Sequence, residues 1–266
     1  MRNIEERLLG TKKVEHTEVI NAPLSFVIPT EYVDLPSQGK FYPVGHPLRD
    51  RTSIEIKQMT AKEEDILASE SYIKQGVTLD KLLESIVIDK NIHPGSILSC
   101  DRSAIFLAAR ISAYGPEYKV AINCGACGKQ SNINYDLSTG PKHIHVKEDV
   151  ELTEKGTFVV KLPSTGWRVE CKLLNGQDES NTFNDKADQN VILKQLNSII
   201  YSIEGIEDKE QLKSTIESIP LKDSRFLRNI YKDLIPKLKF SLNLDCKCGN
   251  KQELEVPVTL EFFWPQ

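Results

Sequence analysis

Four cysteines stand at spacings that can hold a metal. Cys124 and Cys127 fall in VAINCGACGKQSNINYDL (120–137), and Cys246 and Cys248 in FSLNLDCKCGNKQELEVPVTLEF (240–262). Each pair reads as a knuckle turn that brings two thiolates to one point and aims backbone N–H groups at the sulfurs. The glycine after the second cysteine, Gly128 or Gly249, permits the positive φ that such a turn needs. Two knuckles supply the four sulfurs of a tetrahedral structural zinc site. Cys-x-x-Cys-Gly is the more specific signal, because Cys-x-Cys-Gly is one residue short of the usual turn. The 118 residues between Cys127 and Cys246 exceed the span of a local zinc finger, so a shared site would clip distant parts of the chain together. Two other readings remain open at this point. The four thiols could stand reduced at two hairpin tips, or Cys124 and Cys127 could form a redox pair. Redox pairs normally open a helix, whereas a strand pattern follows Cys127. Cys100 and Cys171 stand alone and read as small apolar fillers.

The elements that carry the knuckles echo one another. Tyr118, Val120 and Ile122 match Phe240, Leu242 and Leu244 at an offset of 122, and Ile133, Tyr135 and Leu137 match Leu254, Val256 and Val258 at 121. Each unit is a strand, a knuckle and a second strand with period-2 alternation. Upstream, DRSAIFLAARISAYGPEYKVAINC and DSRFLRNIYKDLIPKLKFSLNLDC keep the offset of 122 without a gap. Both read as an Asp-capped helix, a Gly/Pro break and a strand. SIEIKQMTAKEED (53–65) resembles RVECKLLNGQDES (168–180), with Thr60/Glu63 as a capping box and Asn175/Asp178 as a looser one. LPSQG (35–39) and LPSTG (162–166) precede them as turns.

The pattern predicts an α+β fold: a tandem duplication of a strand–helices–Cys-knuckle β-hairpin unit, with an extended N-terminal arm. The arm covers 1–29, repeat one 30–147 and repeat two 148–266. Helices are expected at about 60–75, 79–89 and 101–113 in repeat one, and at about 176–203, 208–218 and 223–234 in repeat two. The prolines from Pro23 to Pro47 hold the arm and its continuation extended, ready to dock on the chain's own core or on a neighbour. Phe262, Phe263 and Trp264 read as the apolar end of the last strand.

Other chemistry is sparse. His143 and His145 alternate onto one strand face without further ligands nearby, and KEED (62–65) suits the first turn of a helix. No Gly-rich phosphate loop, Gly-x-Ser-x-Gly elbow or His-Glu-x-x-His occurs, so no catalytic residues are expected and the chain reads as a non-enzyme. The 266 residues carry 34 basic and 38 acidic side chains, a net charge of −4, against the basic excess common among nucleic-acid binders. No run approaches 18 apolar residues, and MRNIEERLLGTKKVEH lacks the apolar core of a secretory signal. A reducing cytoplasm is the expected compartment.

DLPSQGKFYPVGHPL, IEIKQMTAKEEDIL, LDKLLESIVIDK and DRSAIFLAARISAYGPEYKVAINCGACGK resemble, in order and wording, the baseplate proteins of T-even-type contractile-tailed bacteriophages. The chain is similar in particular to the hub subunit and hub-assembly proteins, closely over 30–140 and more loosely over the second repeat. The shortened knuckle at Cys246-Lys247-Cys248 is the departure. The resemblance implies a late virion-assembly protein, made in the host cytoplasm and working through other baseplate, hub or tail proteins. It implies no catalytic residues, small-molecule substrate or membrane span. A zinc-ribbon nucleic-acid-binding module is the rival reading, carried by Lys119, Lys129, Lys237, Lys239, Lys247 and Lys251 around the knuckles.

Overall fold

The computed structural model describes residues 28–139, 141–144, 150–184, 190–255 and 260–263. The arm up to residue 27, His145 and Trp264 lie outside the described residues. In the first half, β1 (Thr30–Asp34) and β2 (Ser53–Lys57) pair antiparallel around the LPSQG turn, with Val33 opposite Ile54. Helix α1 (Ala61–Ala68) starts at the expected capping box, in which Thr60 and Glu63 satisfy each other's backbone donors. The helix expected over 60–75 is two helices. Ser69 ends α1 and caps α2 (Glu70–Gln75), which stops at Gly76 in the left-handed region. Helix α3 (Thr78–Ile86) buries Leu82, Leu83 and Ile86 completely, each contributing about 2 kcal/mol. Val87 then bridges to Ile56 of β2. Helix α4 (Ser99–Tyr114) leads to the first knuckle hairpin, β3 (Glu117–Asn123) and β4 (Gln130–Asp136). A short strand, β5 (Lys142–Ile144), follows and carries His143.

The second half opens with a hairpin around LPSTG, β6 (Phe158–Lys161) and β7 (Arg168–Cys171). The helix expected over 176–203 is α5 (Gly176–Asn184), then α6 (Val191–Ile199), then a strand, β8 (Ile200–Ile203). The β-branched run pairs with β7 as the third strand of a sheet, so a sheet edge overrides helical continuation there. Helices α7 (Lys209–Glu217) and α8 (Leu221–Leu234) follow, then β9 (Lys237–Lys239) and the second knuckle hairpin, β10 (Ser241–Asp245) and β11 (Lys251–Glu255). Among the described residues no helix is long and apolar enough to cross a membrane.

Like contacts recur in the two halves. Val87 bridges Ile56 as Ile200 pairs with Cys171. The Lys57 ammonium lies 2.7 Å from Glu63, and the Lys172 ammonium 2.7 Å from Asp178. Asn175 and Asp178 exchange hydrogen bonds as Thr60 and Glu63 do. Val120 faces Ile133 as Leu242 faces Leu254.

One apolar core runs through both halves. Phe41 meets Phe158 edge-on at 6.3 Å, and the Val44 N–H donates to Glu154. Gly156, at φ 76°, lies so close to Phe41 that a Cβ would stand 2.4 Å from its carbonyl oxygen. Ser99 donates to the Leu174 carbonyl, and β5 pairs with β9. The FF segment is not the end of a strand. Leu260–Phe263 forms a 3₁₀ turn whose two phenylalanines are fully buried. Phe263 packs edge-on against Phe106 of α4, and the Arg110 Nε donates to the Phe262 carbonyl at 3.1 Å. Phe262 also contacts Tyr118 and Phe240, the residues preceding the two knuckles at the offset of 122.

Glu63 is fully buried at the start of α1 and gives a first prediction. Burial works against its charge. Hydrogen bonds from Lys57, Ser85 and Thr60 outweigh it and hold the carboxyl pKa down to about 2. Its contribution is therefore present above the unfolded value of about 4.3 and lost as pH falls through about 2. Glu63→Gln should cost about 2 kcal/mol at pH 7 in urea unfolding, with the loss shrinking toward pH 3.

Candidate metal centre

The two knuckles meet. The Sγ atoms of Cys124, Cys127, Cys246 and Cys248 all lie within 4.8 Å of one another. Cys124 is 3.7 Å from Cys248, and Cys127 is 3.7 Å from Cys246. A disulfide needs about 2.05 Å, so no pair is bonded. Tetrahedral zinc with Zn–S near 2.3 Å sets its sulfurs about 3.8 Å apart, so the donors fit such an ion.

The missing residue is absorbed by the turn. The longer knuckle closes with Gly128 N–H to the Cys124 carbonyl, four residues back. The shorter one closes with Gly249 N–H to the Cys246 carbonyl, three residues back. Both bonds are 2.9 Å, and both glycines have positive φ, 69° and 86°. The flanking strands stay paired, since Cys124 donates to Lys129 and Cys246 to Asn250.

The first cysteine of each knuckle is buried and the second exposed. Cys124, Cys246 and Leu244, backed by Ile122 and Ile133, make a small apolar cluster beneath the sulfurs. The second knuckle also grips the first through polar side chains that the sequence reading missed. Asn250 Nδ2 donates to Cys124 Sγ at 3.5 Å and to Gln252 Oε1 at 3.1 Å. Gln252 Oε1 accepts from the Gly125 N–H, and its Nε2 donates to the Asn123 carbonyl. An amide side chain directly after the knuckle glycine was the available signal.

The sulfurs are electrostatically unequal. Asn250, then the backbone N–H groups of Cys127 and Ala126, bring the Cys124 thiol down to about 6. At Cys248 the Asn250 N–H favours the thiolate, but the sulfurs of Cys246, Cys127 and Cys124 outweigh it and push the thiol up to about 11. A cation among four sulfurs would relieve that repulsion. Cys100 and Cys171 are both buried, but Cys100 is no purely apolar filler, since its Sγ donates to Asp101 Oδ1 at 3.7 Å; burial pushes Cys171 up to about 12.

The two aspartates expected to cap helices do something else. Asp101 and Asp223 sit inside the first turns of α4 and α8, whose N-cap residues are Leu98 and Pro220. Each instead accepts hydrogen bonds from the LPSxG turn of its own half. Asp101 takes Ser37 N–H at 2.9 Å, Ser37 Oγ at 2.6 Å and the Tyr42 hydroxyl at 2.7 Å. Asp223 takes Ser164 N–H at 2.8 Å and Thr165 N–H at 2.9 Å. Burial wins at Asp101, raising its carboxyl pKa; at Asp223 burial opposes the charge, but the two backbone donors prevail and lower it.

Together these features define an α+β protein with a four-thiol cluster compatible with a metal site. Residues 28–264 match the family described as T4 bacteriophage base plate protein, and the chain belongs to that family. No curated protein and no solved structure matches it.

Proposed function

We propose that the chain is a structural or assembly protein of the baseplate hub, acting by docking rather than catalysis, with a zinc ion clipping two repeats together. The observation that carries the clip is the convergence of four sulfurs from hairpins more than 100 residues apart. The recurring bridges, capping pairs and Asp-to-turn contacts support a duplication with repeats at 30–147 and 148–266, preceded by the arm at 1–29. Zinc would be held by Cys124, Cys127, Cys246 and Cys248, fixing the docking faces relative to one another. Assembly would take place in the host cytoplasm with hub or tail proteins as partners. The rival nucleic-acid reading loses support where Lys239 and Lys251 pair with Glu253 and Asp245.

Capture of the tagged chain from infected cells, with metal analysis of the same sample, tests both parts. Baseplate proteins in the eluate and about one zinc per chain are expected. An eluate without baseplate proteins overturns the docking role, and zinc below about half an equivalent overturns the clip.

A further inference from the structure

Two cavities open beside matching corners of the halves. In the first, of about 560 Å³, Lys57, Lys62, Lys81 and Lys90 stand around Ile66 and Ile88. Glu84 is the one carboxylate among its described wall residues. In the second, of about 530 Å³, Lys172, Lys209 and Lys213 stand around Ile200, Tyr201 and Leu212, with Glu207 opposed to them. The shared corner is a strand-end lysine beside the bridge that follows a helix: Lys57 beside Ile56–Val87, and Lys172 beside Cys171–Ile200. Beyond that corner the walls differ, with α1 closing the first cavity and α7 the second. The same chemistry is therefore built twice from different helices.

The lysines are arranged around apolar floors. Lys57 and Lys172 are anchored by Glu63 and Asp178. Lys90 is held at the rim by the carbonyls of Glu84 and Val87. Lys81 pairs with Glu84 at 2.8 Å, Lys62, Lys209 and Lys213 have no ion pair among the described residues, and Ile88 is 40% exposed. In a chain of net charge −4, two local cationic excesses lined by apolar side chains are specific features, with Ile88 exposed in the first cavity and Tyr201 half-buried above the buried Ile200 and Leu212 in the second. A single-stranded nucleic acid favours a continuous basic groove with open aromatic faces for its bases, whereas the apolar walls of the first cavity are aliphatic and Tyr201 in the second already lies under the Lys155 ammonium. A peptide with an apolar side chain between carboxylates satisfies floor and rim together.

We propose that each cavity docks a short acidic segment of a baseplate partner, an apolar residue flanked by Asp or Glu, two segments per chain. This deepens the docking role proposed above and rests on it; the zinc clip is independent. The probes are a capped peptide with one leucine among four glutamates, its glutamine counterpart, and a short single-stranded oligonucleotide. They are titrated into the full chain and followed by backbone-amide NMR. Two glutamate peptides should bind per chain, with the glutamine version about tenfold weaker. Lys62→Glu with Lys81→Glu, or Lys209→Glu with Lys213→Glu, should each leave one site and an otherwise unchanged spectrum. No peptide binding, equal binding of the glutamine version, unchanged stoichiometry in the variants, or displacement by the oligonucleotide overturns the proposal. In the infected-cell capture, both double variants should lose baseplate proteins that the wild type retains. Retention by the variants overturns the pockets alone, whereas failure of the wild type overturns the docking role itself.

Discussion

Stripping the proposed zinc with a chelator, or replacing Cys124 and Cys246 by serine, should lower the melting temperature by about 10 °C. The two are the buried members of the cluster, one from each hairpin, so the double variant removes the clip at both ends. What is lost is a link across more than 100 residues of chain, together with relief of repulsion among thiolates held within 4.8 Å. A chelator should shift the wild type and leave the double serine variant unmoved. Cys171→Ala, at a buried site outside the cluster, should keep the chelator response. Identical melting of the wild type with and without chelator would show that the four thiols are a packing feature and that the halves are joined by their core alone.

The second large effect is expected at Asp101. Its carboxylate is fully buried and serves the Ser37 backbone, the Ser37 hydroxyl and the Tyr42 hydroxyl. Tyr42 also accepts from the Leu98 N–H just before α4, so one carboxylate ties the LPSQG turn to the helix start. Asp101→Ala strands several buried donors and should cost about 3–5 kcal/mol in denaturant unfolding at pH 7. The pH dependence separates charge from hydrogen bonding. Burial raises the folded-state pKa of Asp101, so its proton-linked contribution is full below about pH 3.9 and lost as pH rises through the raised value. Asp101→Asn, neutral throughout, should gain on the wild type as pH rises above about 3.9. A difference that is flat with pH would mean that the carboxylate is well solvated or fully compensated.

The site was more legible than the fold around it. Cysteine spacing and a constant offset single out the four thiols that the fold brings into one cluster, because knuckle turns need few residues and fixed types. Alternation gives both hairpins, and the Thr60–Glu63 box gives the start of α1. Sequence pattern failed where tertiary contact decided the outcome. IIYSI continues a helical stripe, yet a free edge on β7 takes it into a sheet. Asp101 and Asp223 stand where caps are commonly found, but their true partners lie 64 and 59 residues away in the turns. The knuckle's amide braces were missed because Asn and Gln carry no period and gain a role only when two hairpins touch.

Phe262 has a consequence for the order of folding. Its carbonyl accepts from Arg110, 152 residues earlier, and its ring closes the space between Tyr118 and Phe240. While a ribosome still holds this segment, the first half must wait with an apolar gap beside α4, however early its own helices form. Burial there becomes complete only after residues 260–263 have left the exit tunnel, because this contact closes a loop of 152 residues. During that interval the rings of Phe106 and Tyr118 lack the cover that Phe263 and Phe262 give them.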